Sequence, residues 1–201
     1  MKLYERFADK GYHTSIMTTF GLDFDAYENI VLPRLRGAGC RNNIVMPDAR
    51  MLTHALTGAS TLPDHAGKLY SVTGATARQV FHPKLFLQIG QKGGRIIVGS
   101  ANLTSSGLAG NLELVGTITC GEDDSAEQRI VAAAWHYLTR FVGPEQEALQ
   151  GQQDWMLVRA PWLRQAVAAT DKLDLSDQTE AAFLATGRET GIGQRFADLI
   201  G

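Results

Sequence analysis

His82, Lys84, Ser100 and Asn102 stand within the run FHPKLFLQIGQKGGRIIVGSANLTSSGL, and their types suit phosphodiester chemistry. A neutral imidazole can attack phosphorus directly and form a phosphohistidine that water later hydrolyses, while a second histidine protonates the leaving oxygen. Lys84 supplies a point charge for non-bridging oxygens. The Ser100 hydroxyl and the Asn102 amide supply donors for charge that develops in the transition state.

Strands must then bring the four together. Side chains two apart on a strand share a face, about 6.6 Å from one another. Reading Phe81 to Ile89 as a strand puts His82, Lys84, Phe86 and Gln88 on one side, and Pro83, Leu85, Leu87 and Ile89 on the other, the core side. The glycine-rich turn GQKGG joins this run to RIIVGSAN as an antiparallel hairpin on which Ser100 and Asn102 again share a face. If the hairpin closes at Gly93, the far ends of both strands meet. LTSSGLAG reads as a short helical turn whose first N–H groups favour an anion. The next strand, LELVGTITC, places Glu113 where it could accept a hydrogen bond from the far nitrogen of His82 and hold its tautomer. The two motifs together, in this order and window, arise by chance in on the order of one chain in a thousand, so they are read as an active site.

At these residues the chain resembles the phospholipase D superfamily, whose signature is HxKxxxxD followed by GSxN. The resemblance covers roughly residues 13 to 142 and implies a phospholipase D-like fold, a mixed sheet with helices on both faces. It implies that His82 is the nucleophile or its acid partner, that Lys84 and Asn102 bind phosphate with Ser100 in support, and that Glu113 orients the histidine. The signature aspartate falls at Ile89, an apolar residue, and this departure favours the nuclease branch over the lipases. The superfamily builds one site from two motif copies. This chain has one copy, since His65-Ala-Gly-Lys68 has the wrong spacing. A homodimer through the active-site face is implied, with one His82 attacking and the other protonating.

With 201 residues and 44% hydrophobic content, the chain can bury one substantial core. Nineteen basic against twenty-one acidic residues give a net charge of −2, so any positive surface for nucleic acid must be local. No stretch reads as a signal peptide or a membrane span, and a cytoplasmic protein without membrane partners is expected. Cys40 and Cys120 read as isolated buried thiols. No cofactor and no metal is expected, Asp23 and Asp25 in GLDFDAY reading more simply as a helix N-cap.

The fold class expected is α/β, a mixed sheet with helices on both faces and a helical C-terminal tail. HTSIMTTFGLD, NNIVMPD and LYSVTG read as strands, and FDAYENIVLPRLRGAG as a helix with Pro33 as a possible kink. DARMLTHALTG reads as a short helix, and DSAEQRIVAAAWHYLTRFVG as one capped by Asp124 or Ser125. A catalytic domain over 1–143 and an extension over 144–201 are expected. In the extension GPEQEALQGQQDW is a connector, and VRAPWLRQAVAATDKL and SDQTEAAFLATGRETG are helical. Trp155, Trp162, Leu163, Val167 and Phe183 give the tail an apolar face for the core, the other subunit or a partner. Lys92, Arg95, Arg41 and Arg78 read as scattered charges, and His13, His54 and His136 as solvated or hydrogen-bonded. The expected function is a metal-independent phosphodiesterase cleaving nucleic acid, DNA foremost, as the nuclease domain of a restriction, repair or anti-phage system. A phospholipid or small phosphodiester transferase, and a non-catalytic binding module, are the alternatives.

Overall fold

The computed structural model describes residues 2–58, 62–78, 80–165, 172–186 and 191–200. After a 3-10 turn at Leu3–Ala8, β1 (Thr14–Thr19) leads into α1 (Phe24–Ala26), a π turn (Tyr27–Val31) and α2 (Leu32–Gly37). Then come β2 (Asn42–Pro47), α3 (Ala49–Gly58), β3 (Ser71–Val72), β4 (Leu85–Gly90) and β5 (Gly93–Gly99). A second π turn (Ser106–Gly110), β6 (Val115–Cys120) and α4 (Ala126–Thr139) follow. The remainder holds α5 (Glu147–Arg159), α6 (Trp162–Gln165), β7 (Leu173–Asp174), β8 (Glu180–Ala181) and α7 (Ile192–Ile200).

Six strands form one sheet in the order β3-β2-β1-β4-β5-β6. The β1–β2 and β2–β3 pairs are parallel, whereas β1–β4, β4–β5 and β5–β6 are antiparallel. The mixed α/β class read from the sequence is therefore the class observed. Strand alternation distributes the apolar residues to two cores. Ile16, Leu85, Leu87, Ile89 and Ile96 pack under α4, α5 and α6. Met17, Phe86 and Ile97 pack under the N-terminal turn, α1 and α2. Each such side chain contributes about 1.5–3 kcal/mol on burial. The sequence reading made only one side of β4 core. Phe86 and Gln88 are also fully buried, because the N-terminal segment covers their face.

Pro33 has no N–H for the carbonyl four residues back, and its ring crowds that carbonyl. The wider π turn at Tyr27–Val31 immediately before it accommodates both problems without breaking the helical run. Ser125 rather than Asp124 caps α4, accepting from Gln128 N at 3.2 Å. Among the described residues, no helix is long and apolar enough to cross a membrane.

The C-terminal third differs from the sequence reading. Most of the expected connector is α5, whose Leu149 and Met156 join the core under α4, as do Trp162 and Leu163 of α6. Residues 173–181, which take in the end of one expected helix and the start of the next, form the β7–β8 hairpin, closed around Asp177, which accepts from Thr179 N and Oγ1, and Gln178 at φ 67°. Phe183 packs against the core, Trp155 is partly exposed, and Val167 lies outside the described residues.

Candidate active site

The site lies where β1 ends, β4 begins and β5 ends. His82 and Lys84 precede β4 in an extended lead-in rather than standing on the strand itself. Lys84 O accepts from Gly99 N at 3.0 Å, which carries the ladder past the strand ends and sets Lys84 beside Gly99 and Ser100. Buried Thr18 fixes the lead-in, its Oγ1 reaching Pro83 O at 3.0 Å and accepting from Leu85 N at 2.9 Å. Upstream, Phe81 N donates to Asp48 Oδ2 at 3.0 Å, while Asp48 Oδ1 accepts from Arg50 N and Met51 N at the start of α3. One buried carboxylate thus ties a helix start to the backbone next to His82. Burial by itself would raise the Asp48 carboxyl, but these donors outweigh it and hold the group below the usual carboxylate range.

Lys84 Nζ lies 2.8 Å from His82 Nδ1 and 3.2 Å from Nε2. The ammonium is 8% exposed with its residue, whereas His82 is open to solvent on one side and packs its ring on Phe20 at 4.7 Å. Partial desolvation and then the Lys84 charge hold the imidazole below its ordinary value, against a smaller pull from its own backbone and Asp48. The ring is neutral at neutral pH and fit to attack. Burial also lowers the Lys84 ammonium, and Glu113 opposes that.

Ser100 and Asn102 do not share a face. The strand stops at Gly99, and the two side chains turn to different neighbours. Ser100 Oγ donates to Glu113 Oε2 in a short contact and accepts from Leu114 N at 3.1 Å. Asn102 Oδ1 accepts from Thr19 Oγ1, Phe20 N and Gly21 N, each at 3.2 Å. With its oxygen so used, Asn102 has its NH2 without a partner among the described residues, a donor left for a ligand. Glu113 holds Ser100 and Asn111 rather than His82. Its expected bond to the far nitrogen of the ring is not made, and its two oxygens are taken by Ser100 and Asn111 instead. Two glycines allow these approaches: a Cβ on Gly99 would lie 2.6 Å from Leu114 O, and one on Gly107 2.5 Å from Asn102 O.

Thr18, Thr19, Phe20 and Asp48 were missed in the sequence. A hydroxyl pair ending an apolar strand and an Asp before a helix were the available signals, and both are common. The other candidates are structural. His13 Nδ1 bonds Thr14 Oγ1 at 2.9 Å and its ring packs edge-on to Trp155, while His54 is exposed on α3 and His136 packs on Trp135. Asp23 caps α1 through Ala26 N. Arg95, expected among solvated charges, is 4% exposed and bonded to Gln88 and Asp9. Burial pushes the Cys40 and Cys120 thiols up to about 12 and about 11. Among the described residues, no group of three or more His, Cys, Asp or Glu is placed to hold a metal ion.

No known family profile matches the chain, and no curated protein matches it. Among solved structures it is similar to Nuc from Salmonella typhimurium, a phospholipase D family member, at 12% identity, TM-score 0.48, over 69% of this chain and 84% of that one. It is similar to NucT from Helicobacter pylori at 14% identity and TM-score 0.45, over 69% of this chain and 84% of that one. A mutant of yeast tyrosyl-DNA phosphodiesterase is similar at 18% identity and TM-score 0.41 over 57% of this chain. The likeness is one of fold. The chain spans about a quarter of the yeast enzyme, covering 26% of its length.

Proposed function

We propose that this chain is a phosphodiesterase that cleaves nucleic acid, DNA foremost, through a phosphohistidine on His82 and as a homodimer. The observation that carries the reading is a neutral, solvent-open imidazole against the Lys84 ammonium, at the strand ends that also hold the Asn102 NH2, which has no partner among the described residues. A phosphate oxygen draws Lys84 Nζ away from the ring and frees a lone pair. The ring nitrogen attacks phosphorus, the P–N bond forms, and the bond to the leaving oxygen breaks. The two His82 rings of the dimer share one proton: the attacking ring is the neutral member, and the ring of the second copy, which carries the proton, gives it to that oxygen. Water then attacks the phosphohistidine, the P–N bond breaks, and the same second imidazole takes the water's proton. No step requires a metal, since the nucleophile is neutral at working pH and Lys84 with Asn102 carries the phosphate charge. The superfamily-type setting in restriction, repair or defence against phage belongs to this proposal.

A second copy is supported by the surface beside the site. Val98, Leu112, Leu114 and Val115 are exposed apolar side chains next to Ser100 and Glu113, with Leu114 at 82% exposure, and β6 is the last strand of the sheet. The test is cleavage of DNA and RNA oligonucleotides in a chelator, with mixtures of wild-type and His82→Ala chains. Shared imidazoles make activity fall as the square of the wild-type fraction. Activity linear in that fraction, or cleavage lost on chelation, rules the scheme out.

A further inference from the structure

Beside His82 and Lys84 opens a cleft of 1320 Å3, larger than the roughly 300–1000 Å3 that a drug-sized ligand fills. Its size suits a segment of polymer. One side of it is a ladder of rings that starts in the lead-in to His82: Phe81 meets Phe141 at 4.8 Å, Phe141 meets Tyr137 at 5.2 Å, and Tyr137 meets Phe183 at 6.0 Å. None of these pairs is stacked face to face, and Tyr137, Phe141 and Phe183 are only partly buried. Flat apolar surface is therefore presented to the cleft.

Charge distinguishes this cleft from the rest of the molecule. The chain carries more acid than base, with 21 acidic against 19 basic residues. Among the described residues that line the cleft, the charged ones are Arg78, Lys84 and Arg140, and none is acidic. Arg78 and Arg140 are exposed and make no ion pair among the described residues. A polyanion with planar apolar groups matches a cleft lined by both cations and rings. A duplex hides its base faces by stacking them on one another, whereas a single strand leaves them open.

Resting on the phosphodiesterase reading for the position of the scissile phosphate, we infer that this cleft is a subsite for single-stranded nucleic acid. Tyr137 and Phe183 stack the bases that flank the phosphate held at Lys84, and Arg78 and Arg140 track the backbone. The sugar is not selected by this chemistry, so DNA and RNA strands are both candidates.

The experiment measures binding of fluorescent oligonucleotides to the His82→Ala chain, so that affinity is read whether or not cleavage occurs. Single-stranded DNA, single-stranded RNA, duplex, and a single strand carrying abasic sites of the same charge are compared. The expected result is about tenfold weaker binding of the abasic strand and of the duplex than of the ordinary strand. Tyr137→Ala and Phe183→Ala weaken the ordinary strand by a similar factor and leave the abasic strand unaffected, while Tyr137→Phe restores affinity. Arg78→Ala and Arg140→Ala weaken all strands and each lower the salt slope for the single strand by about 0.7. Equal binding of ordinary and abasic strands overturns the subsite, and because that comparison needs no ring variant, misfolding cannot mimic it. Base-dependent binding without cleavage by the wild type overturns the reaction and keeps the subsite, whereas cleavage with base-independent binding does the reverse.

Discussion

The β4–β5 hairpin carries polar and charged side chains at both ends and uses them in opposite ways. Near its turn, Arg95 gives Nε and Nη2 to Gln88 Oε1 at 2.8 and 2.6 Å and Nη1 to Asp9 Oδ2 at 2.5 Å, with a further bond to Arg6 O. The Tyr12 ring lies 5.0 Å from the guanidinium. At the open end, His82 is exposed, Lys84 is buried against it, and the Asn102 NH2 has no partner among the described residues. A buried charge closed by its own fold holds the fold. Charges and donors left half-closed at strand ends are the ones able to meet a ligand.

Exchanging the roles of the two ends by substitution gives the largest expected effect. His82→Ala is expected to cut cleavage at least about 10³-fold with an almost unchanged melting temperature, since an attacking group has gone and little burial is lost. Arg95→Met is expected to do the opposite, costing about 3 kcal/mol because buried Gln88 Oε1 and Arg6 O lose their donors, while each folded molecule keeps its activity. Urea denaturation and cleavage assays on both variants decide it. An unfolded His82→Ala, or a stable but inactive Arg95→Met, erases the distinction between the ends.

Asn102 sharpens the comparison because its two amide atoms serve different ends. Asn102→Ala leaves Phe20 N and Gly21 N without their acceptor and is expected to lose both stability, about 1–3 kcal/mol, and activity. Asn102→Asp retains an oxygen for those donors and lacks the NH2, so activity falls about 10²-fold while stability stays within about 1 kcal/mol of wild type. Wild-type cleavage by Asn102→Asp would show that the NH2 has no role of its own, and equal losses of stability in the two variants that the oxygen has none.

Asp48→Asn is expected to be milder, removing about 1 kcal/mol and lowering cleavage several-fold by loosening the backbone beside His82. Because the folded-state value of Asp48 is depressed, its contribution is complete above the ordinary carboxyl value and is lost as pH falls through the lower one. Acid denaturation of the wild type therefore carries this loss, and the Asn variant shows a flatter curve. The smallest effect is a shift of position. The acid limb of kcat/KM lies below the ordinary imidazole value of 6.5, since the attacking ring must be neutral. In the residual activity of Lys84→Met the limb moves upward, because the ring loses the cation that helps to lower it. A limb that stays in place shows that Lys84 does not act on the ring.

Where the sequence was legible, the signal was local and periodic. Short apolar runs marked β1, β2, β4 and β5, an Asp-Ser pair before an amphipathic run marked α4, and four residue types at two spacings marked the candidate site. Where it was not, the partner lay far along the chain. Thr18 to Leu85 and Asp48 to Phe81 are contacts across 67 and 33 positions, and ordinary Thr and Asp residues do not announce them. α5 was read as a connector because its surface is polar, Leu149 and Met156 being its buried residues. Arg95 looked solvated because nothing nearby revealed that Asp9 and the N-terminal turn would close over it.

Residue order by itself determined which chemistry is available, an imidazole, an ammonium, a hydroxyl and an amide, and which two strands these groups flank, since the apolar runs and the glycine turn between them are local signals. Tertiary structure decided the rest. It sent Ser100 to Glu113 and Asn102 to the end of β1, and it set Lys84 against the ring. The physical reason is that hydrogen-bond partners are settled by which segments fold over one another, and a buried donor or acceptor takes the partner that packing brings within reach.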